Sequence, residues 1–263
     1  MTIIGAGAIG VEFAYFFNSF GSNITLIEAE KNILPHEDKE VSQWVEKVFK
    51  KKKINILTGT LANKIDDEKI LISVGVEGNS QGMGLKEIGI NFSANHHIAV
   101  DSNGKTNIGN IYAVGDVIGS PWLAHVSAAE GLYAVEHLCG LNPKEIDYNS
   151  VPACTYSKPE VASIGLTEQQ LVDNNVEFKV AKSFFIANGK AVAVGATDGF
   201  IKMLVGKEGN ILGAHIVGSN ATEMISELSV IKSNNLTVNS VLESVHPHPT
   251  FSEAIFETLL QLK

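Results

Sequence analysis

The sequence predicts an α/β unit on a parallel sheet, a loop-rich middle and an α+β unit at the end. Three observations carry this. Residues 1–30 read strand, glycine turn, helix, strand: Thr2-Ile3-Ile4, then Gly5-Ala6-Gly7-Ala8-Ile9-Gly10, then apolar residues at helical spacing, then Ile24-Thr25-Leu26-Ile27. From about residue 80 the pattern breaks at Gly82, Gly84, Gly89 and Asn91. From about residue 148, runs such as Phe178–Ala187, Gly199–Val205 and Ile211–Val217 alternate or run apolar as antiparallel strands do. The expected divisions are 1–79, 80–147 and 148–263.

Composition bounds the function. A chain of 263 residues holds one large domain or two to three small ones. A net charge of −9 argues against nucleic acid or an anionic membrane as partner. No uninterrupted apolar stretch is long enough to predict a membrane span. Met1 has no basic leader behind it and runs straight into an apolar strand, an unusual beginning for a chain. Cys139 and Cys154 fit no metal or redox-motif spacing and are read as reduced thiols of an intracellular protein. All 20 basic residues are Lys, so no bidentate guanidinium clamp on phosphate is available.

In the first unit, Ile9, Phe13, Phe16, Phe17 and Phe20 recur at helical spacing and Gly21 is placed to end the helix. The G-x-G-x-x-G turn has its full dinucleotide-binding context: strand, turn, helix, strand, acid. Gly5 makes the tight turn, Gly7 lets the backbone approach a pyrophosphate on the helix N-terminus, and Gly10 lets the helix pack closely. Glu28 closes the second strand, where a carboxylate binds both hydroxyls of an adenosine ribose. This acid and the absence of Arg favour NAD over NADP, with Lys31 able to hold a phosphate only as a point charge. Residues 35–53 read as an amphipathic helix with Val41, Val45, Val48 and Phe49 inward and a Lys50–Lys53 run at its end. Ile54–Leu57 and Ile70–Val74 read as further strands, the last ending at Gly75.

In the middle, Ile98–Asp101 and Ile111–Val114 read as strands around an Asp101–Gly104 turn. Asp116 then stands at a strand's C-terminal end, where ligands bind in open α/β sheets. Pro121-Trp122-Leu123-Ala124-His125 leads into a small-residue helix, 127–138, suited to packing on a cofactor. In the last unit, Val161–Gly165 is a strand, Thr167–Gln170 opens a capped helix, and Ala221–Ile231 is a helix with Met224, Leu228 and Ile231 inward. His246-Pro247-His248-Pro249 then precedes Glu253 and a short apolar helix. A His on a proline-fixed turn with a carboxylate behind it is a candidate acid–base pair. The bland alternative is a proline-rich turn with solvent-facing histidines.

Three motifs in order, Gly5–Glu12 with Glu28, Ile111–Asp116 and His246–Glu253, resemble the pyridine nucleotide–disulfide oxidoreductases. So do the stretches 151–168 and 212–218. Within that family the chain is most similar to the flavoproteins that reoxidise dihydrolipoyl groups of 2-oxoacid dehydrogenase complexes. The resemblance implies a shortened Rossmann-like NAD-binding domain (1–79), the C-terminal part of an FAD-binding domain (80–147) and an α+β dimerisation domain (148–263). It implies that Gly5, Ala6, Gly7, Ala8, Ile9, Gly10, Val11 and Glu12 line the NAD site, with Glu28 on the ribose and Ala62 and Gly75 touching through backbone. Asp116 is implied at the ribityl–pyrophosphate region of FAD, with Trp122, Leu123, Ala124 and His125 against the flavin. His248 is implied as the acid–base group, Glu253 as its orienting partner and His246 as a neighbour. The implied partners are a second copy, with the active site shared across the dimer, and the lipoyl domains and acyltransferase core of a 2-oxoacid complex. The expected setting is bacterial cytoplasm, an organelle matrix being the alternative.

The chain also departs from that family. The family's N-terminal FAD lobe, with its own G-x-G-x-x-G and a C-x-x-x-x-C redox pair, has no counterpart here, and Cys139 and Cys154 are not expected to substitute. Leu61–Lys69 stands where relatives insert a small β-meander, and Gly75-Val76-Glu77-Gly78-Asn79 stands where many have Gly-Arg-x-Pro-Asn. The chain alone is therefore expected to be an inactive fragment with poor FAD binding and retained NAD binding. The alternatives are an NADPH-linked glutathione or mercuric reductase-like enzyme, and a non-catalytic nucleotide-binding dimerisation module.

Overall fold

The computed structural model describes residues 1–263 except Lys64 and Asp66, two positions of the short 61–69 link that lie outside the described residues. Contacts divide the chain into two compact units, residues 1–74 with 149–263, and residues 75–148. The first unit begins with β1 (Thr2–Ile4), α1 (Ala8–Ser19), β2 (Thr25–Ile27), α2 (Lys39–Lys51), β3 (Asn55–Leu57) and β4 (Ile70–Ile72). The four strands are parallel in the order β3-β2-β1-β4. Helix α1 buries Gly10, Val11 and Ala14, small enough for close packing. Tyr15 and Phe17 are half-buried against the core, while Ile9, Phe13 and Phe16 on the helix and Phe20 just past its end are exposed, the Phe16 and Phe20 rings lying against each other at 4.9 Å. The helix expected over 35–53 starts at Lys39, because the Asp38 side chain accepts the Glu40 N–H and caps it.

In residues 75–148 the expected strands 98–101 and 111–114 do not form. Each makes an isolated bridge, Phe92 with Ile98 and Lys105 with Tyr112. An apolar run becomes a strand only where a partner runs beside it for several residues, and here the neighbours give single ladder rungs such as Thr106 N–H to Ile111 O at 3.0 Å. Helix α3 (Ala124–Leu138) begins three residues before the expected start. Buried Glu130 on α3 accepts the Gly115 N–H at 2.7 Å and the Tyr148 hydroxyl at 2.8 Å. Burial, with Glu130 beside it, pushes the Tyr148 phenol up to about 12.

Returning to the first unit, residues 149–263 form β5 (Ala153–Thr155), β6 (Glu160–Gly165), α4 (Glu168–Asp173), β7 (Phe178–Phe184), α5 (Gly189–Ala193), β8 (Phe200–Gly206), β9 (Ile211–Gly218), α6 (Ala221–Ser233), α7 (Val238–Leu242) and α8 (Glu253–Leu260). The sheet order is β5-β6-β9-β8-β7, antiparallel throughout. Thr167 and Gln170 make the expected capping box on α4. The strand expected to reach Ala187 ends at Phe184, where a 3-10 turn begins. Alternation along the strands splits the core. Ala162, Ile164, Ile201, Met203 and Ile216 pack under α6 and α8. Val161, Phe200 and Val217 share a core with Ile3, Val11, Leu26, Val45 and Phe49.

A polar row crosses that second face. Register aligns Ser163 with His215, His215 with Lys202, and Lys202 with Lys182 on adjacent strands. The turn leading into α2 meets the row. Glu37 accepts from Ser163 at 3.0 Å, Asp38 holds Lys202 at 3.0 Å, and Glu40 pairs with Lys182 and Lys202. Glu168 adds a further oxygen to Lys202 at 2.5 Å. Burial would lower the Lys202 ammonium, but these carboxylates outweigh it and hold it above the ordinary lysine value. The row thus fixes the loop that follows β2 onto the antiparallel sheet.

Candidate functional site

The glycine turn between β1 and α1 combines two tightly packed glycines with one open one. Gly5 has φ +92, and a Cβ there would overlap the Ser73 carbonyl. A Cβ on Gly10 would overlap the Gly5 carbonyl oxygen, so both glycines serve packing. Gly7 has nothing within 4 Å of where a Cβ would lie, so its side faces open space. Helix α1 starts at that point with no side-chain cap and no acid in its first turn, leaving backbone donors for an anion. The Ser73 hydroxyl, which sequence reading missed, donates to the Ile4 and Gly5 carbonyls at 3.0 and 2.9 Å and pins the turn.

Glu28 lies at the end of β2 and is buried. Its Oε2 accepts the Ala6 N–H at 2.6 Å and its Oε1 the Glu30 N–H at 2.9 Å. A carboxylate offers about four acceptor positions, so about two remain beyond these two bonds. The Ala6 and Val11 side chains are buried, while Ala8 and Ile9 are exposed on the first turn of α1. Glu12 points elsewhere: its Oε1 accepts the Tyr156 N–H at 2.7 Å and ties α1 to the segment after β5. Ala62 is half-buried in the link before β4.

Gly75, with φ +124, opens the other unit. There Asp116 is exposed in a tight turn, Gly115–Ile118, and its carbonyl accepts the Gly119 N–H at 3.2 Å. Trp122 is exposed and stacks on His97 at 6.3 Å. Leu123 precedes α3 without a side-chain cap, and Ala124 and His125 are exposed on its first turn. A cavity of about 510 Å³ in this unit is lined by Asp101, Asn103, Glu130, Tyr133 and Tyr148, none of them anticipated as site residues.

The His-Pro turn places His248 beside Glu253. His248 Nδ1 lies 2.8 Å from Glu253 Oε1, and the His248–Pro249 bond is cis. The Thr250 N–H donates to Glu253 Oε2 at 2.7 Å. These two contacts, that of Thr250 first, hold the Glu253 carboxyl below its ordinary value. An ionised carboxylate only accepts, so in its neutral form the imidazole carries its proton on Nδ1, with the lone pair on Nε2. The His248 side chain is 77% exposed, so Nε2 is accessible to a substrate. His246 is a separate pair, its Nε2 lying 2.8 Å from Glu227 on α6. Sequence reading missed Glu227, Thr250 and Asn188, which donates to the Thr250 carbonyl at 3.1 Å. Only Asn188, a good helix-capping type before a short helix, left a signal.

Known proteins align along this arrangement. The family model "Pyridine nucleotide-disulphide oxidoreductase" matches residues 1–131. The model of that family's dimerisation domain matches residues 151–259. A dihydrolipoyl dehydrogenase of Zymomonas mobilis is 39% identical over 283 aligned residues, covering 99% of this chain and 60% of the relative. One from Bacillus subtilis is 41% identical, covering 98% of this chain and 59% of the relative. The crystal structure of LpdA from Mycobacterium tuberculosis superposes with a TM-score of 0.92 at 25% identity, covering all of this chain and 61% of that one. The flavoprotein disulfide reductase RclA from Escherichia coli has the same fold, with a TM-score of 0.91 at 24% identity. The chain thus spans about 60% of the length of the curated relatives it matches. With two matched segments in order along nearly its whole length, the chain belongs to the pyridine nucleotide–disulphide oxidoreductase family.

Proposed function

We propose that the whole protein is a dihydrolipoyl dehydrogenase, the flavoprotein that reoxidises dihydrolipoyl groups of a 2-oxoacid dehydrogenase complex with NAD as final acceptor. The observation that carries this reading is the His248–Glu253 pair, with Nδ1 held by the carboxylate at 2.8 Å and Nε2 facing out. A dithiol attacks a disulfide only as its thiolate, so a neutral imidazole must first take a proton. His248 Nε2 takes it, and Glu253 stabilises the imidazolium and keeps the ring in the productive tautomer. Bound FAD would relay two electrons from the reduced disulfide to NAD, which would leave as NADH. The disulfide is not one of this chain's own, since Cys139 and Cys154 are both free.

The residues present fit a dinucleotide. Gly5, Ala6, Gly7, Ala8, Ile9, Gly10 and Val11 would hold the NAD pyrophosphate through the open turn and the uncapped start of α1. Glu28 would take the ribose and Glu12 would brace the helix, with Ala62 and Gly75 contributing backbone. For FAD, exposed Asp116 and the uncapped start of α3, with Trp122, Leu123, Ala124 and His125, offer a carboxylate and backbone donors. In this reading 1–79 is the NAD-binding domain, 80–147 the C-terminal part of the FAD-binding domain, and 148–263 the homodimer-forming domain. Lipoyl domains and the acyltransferase core are its macromolecular partners and bacterial cytoplasm is its setting. No described helix is long and apolar enough to cross a membrane.

The test is substrate and coenzyme choice in the full-length, FAD-loaded protein. NAD-dependent oxidation of dihydrolipoamide is expected, with NADP far less effective. NADPH-dependent reduction of glutathione disulfide or Hg²⁺ in its place would overturn the reading.

A further inference from the structure

One buried side chain sits behind the His248 turn and takes no part in the chemistry above. Asn188 is 1% exposed. Its Oδ1 accepts the Ala191 N–H at 2.9 Å and caps α5. Its Nδ2 reaches across 62 positions of sequence to donate to the Thr250 carbonyl at 3.1 Å. The residue is fixed in turn: its N–H donates to the Phe185 carbonyl at 3.0 Å, and buried Phe185 packs edge-on against Phe251 at 5.7 Å.

Thr250 is therefore held at both ends. Asn188 holds its carbonyl, Glu253 takes its N–H, and its hydroxyl donates to the Pro247 carbonyl at 2.8 Å. Hydrogen bonds run without a break from buried Asn188 through Thr250 and Glu253 to exposed His248. The exposed end has little packing of its own, the imidazole being 77% exposed, so its orientation has to come from the buried end. Gly189 lies beside it, where a Cβ would be 4.0 Å from His248 Cε1.

We propose that Asn188 is a positioning residue for the acid–base pair: it clamps Thr250 so that the Thr250 N–H fixes Glu253, and Glu253 fixes the His248 ring. The proposal rests on the assignment of His248 and Glu253 as that pair. The Thr250 N–H is the foremost cause of the lowered Glu253 carboxyl, so loosening Thr250 is visible as a titration.

The test compares Asn188→Ser and Asn188→Asp with the wild type and His248→Gln. Ser and Asp both retain the helix cap, being about as good as Asn in that role. Ser is too short to donate to the Thr250 carbonyl, and the Asp variant can donate to it only while protonated, so that variant is read at a pH where the new carboxyl is ionised. Three quantities are read: the Glu253 carboxyl titration by carbon NMR, the His248 ring tautomer by nitrogen NMR, and kcat and KM of the full-length holoenzyme with dihydrolipoamide. In both Asn188 variants the Glu253 titration is expected to move up toward the ordinary carboxyl value and the Nδ1–H tautomer to lose population. The same variants should lose about tenfold in kcat with little change in KM, as expected for a misplaced base. A wild-type Glu253 titration and tautomer in a folded Asn188→Ser or Asn188→Asp protein would overturn the proposal, even if thermal stability fell. Unchanged turnover in His248→Gln would instead refute the acid–base assignment, while the Glu253 titration still decides whether Asn188 positions the turn.

Discussion

Replacing Lys202 by Met should destabilise the first unit by about 3–5 kcal/mol, the range for removing one partner of a buried ion pair. Lys202 is 1% exposed and Asp38 is 2% exposed, with both Asp38 oxygens 3.0 Å from the ammonium. The other two carboxylates, Glu40 and Glu168, are 42% and 41% exposed and can turn to water, so each contributes at most about 1 kcal/mol. Most of the loss is therefore the buried charge left on Asp38. At about 2–4 °C per kcal/mol for a unit of this size, the midpoint should fall by roughly 6–20 °C at pH 7. The pH dependence has a definite sign. Burial alone would raise the Asp38 carboxyl, but His215 and Lys202 together hold it below its ordinary value. A lowered carboxyl stabilises the fold above the ordinary Asp value, and that stabilisation disappears as pH falls through the folded value. The gap between wild type and Lys202→Met should thus be widest near neutral pH and close in acid. Asp38→Asn keeps the helix cap and leaves Lys202 two carboxylates, so it should cost less. The double variant should recover much of the single loss, because no lone buried charge remains. A shift below about 2 °C in Lys202→Met at pH 7, or a double variant that loses the sum of the singles, would refute the reasoning.

Glu37 gives a second pH signal of opposite sign. Burial, with Asp38 adding to it and Ser163 opposing, raises its carboxyl from 4.5 to about 7. A raised carboxyl stabilises the fold below its unfolded value, and that stabilisation is lost as pH rises to about 7. Thermal midpoints of the wild type should therefore contain a component that falls between pH 5 and 7.5 and is absent from Glu37→Gln. The glycine turn separates packing from binding. Gly7→Ala adds a methyl in open space, so it should unfold at the wild-type temperature yet lose tenfold or more in NAD affinity by calorimetry, about 1.4 kcal/mol. Gly10→Ala collides with the Gly5 backbone and should lower both stability and affinity.

Local features were legible where a residue and its partner are close in sequence. The tight packing at Gly5 and Gly10, the Thr167 cap and the contact between His248 and Glu253 all span a few positions and are present in the fold. What depends on distant partners did not. Lys202 sits in an apolar strand, and its meaning comes from Asp38, 164 positions away. Ile98–Asp101 and Ile111–Val114 have strand composition, but strands also need neighbours, and here each finds only an isolated bridge. Helical spacing in α1 found the helix yet could not say which face is covered: the buried face is Gly10, Val11 and Ala14, with Phe17 half-buried beside it, while Ile9, Phe13 and Phe16 are exposed. Asn188 was hidden because its Thr250 partner lies 62 positions on.

The acid–base pair is tested most directly by steady-state turnover of His248→Gln in the full-length, FAD-loaded protein with dihydrolipoamide and NAD, with Glu253→Gln alongside. If His248 takes the thiol proton, its replacement should lower kcat by about 10²–10⁴-fold. Glu253→Gln should lower kcat less and shift the pH–rate profile, with NAD affinity unchanged in both variants. Turnover within about twofold of wild type in His248→Gln, across the whole pH range, would contradict the assignment.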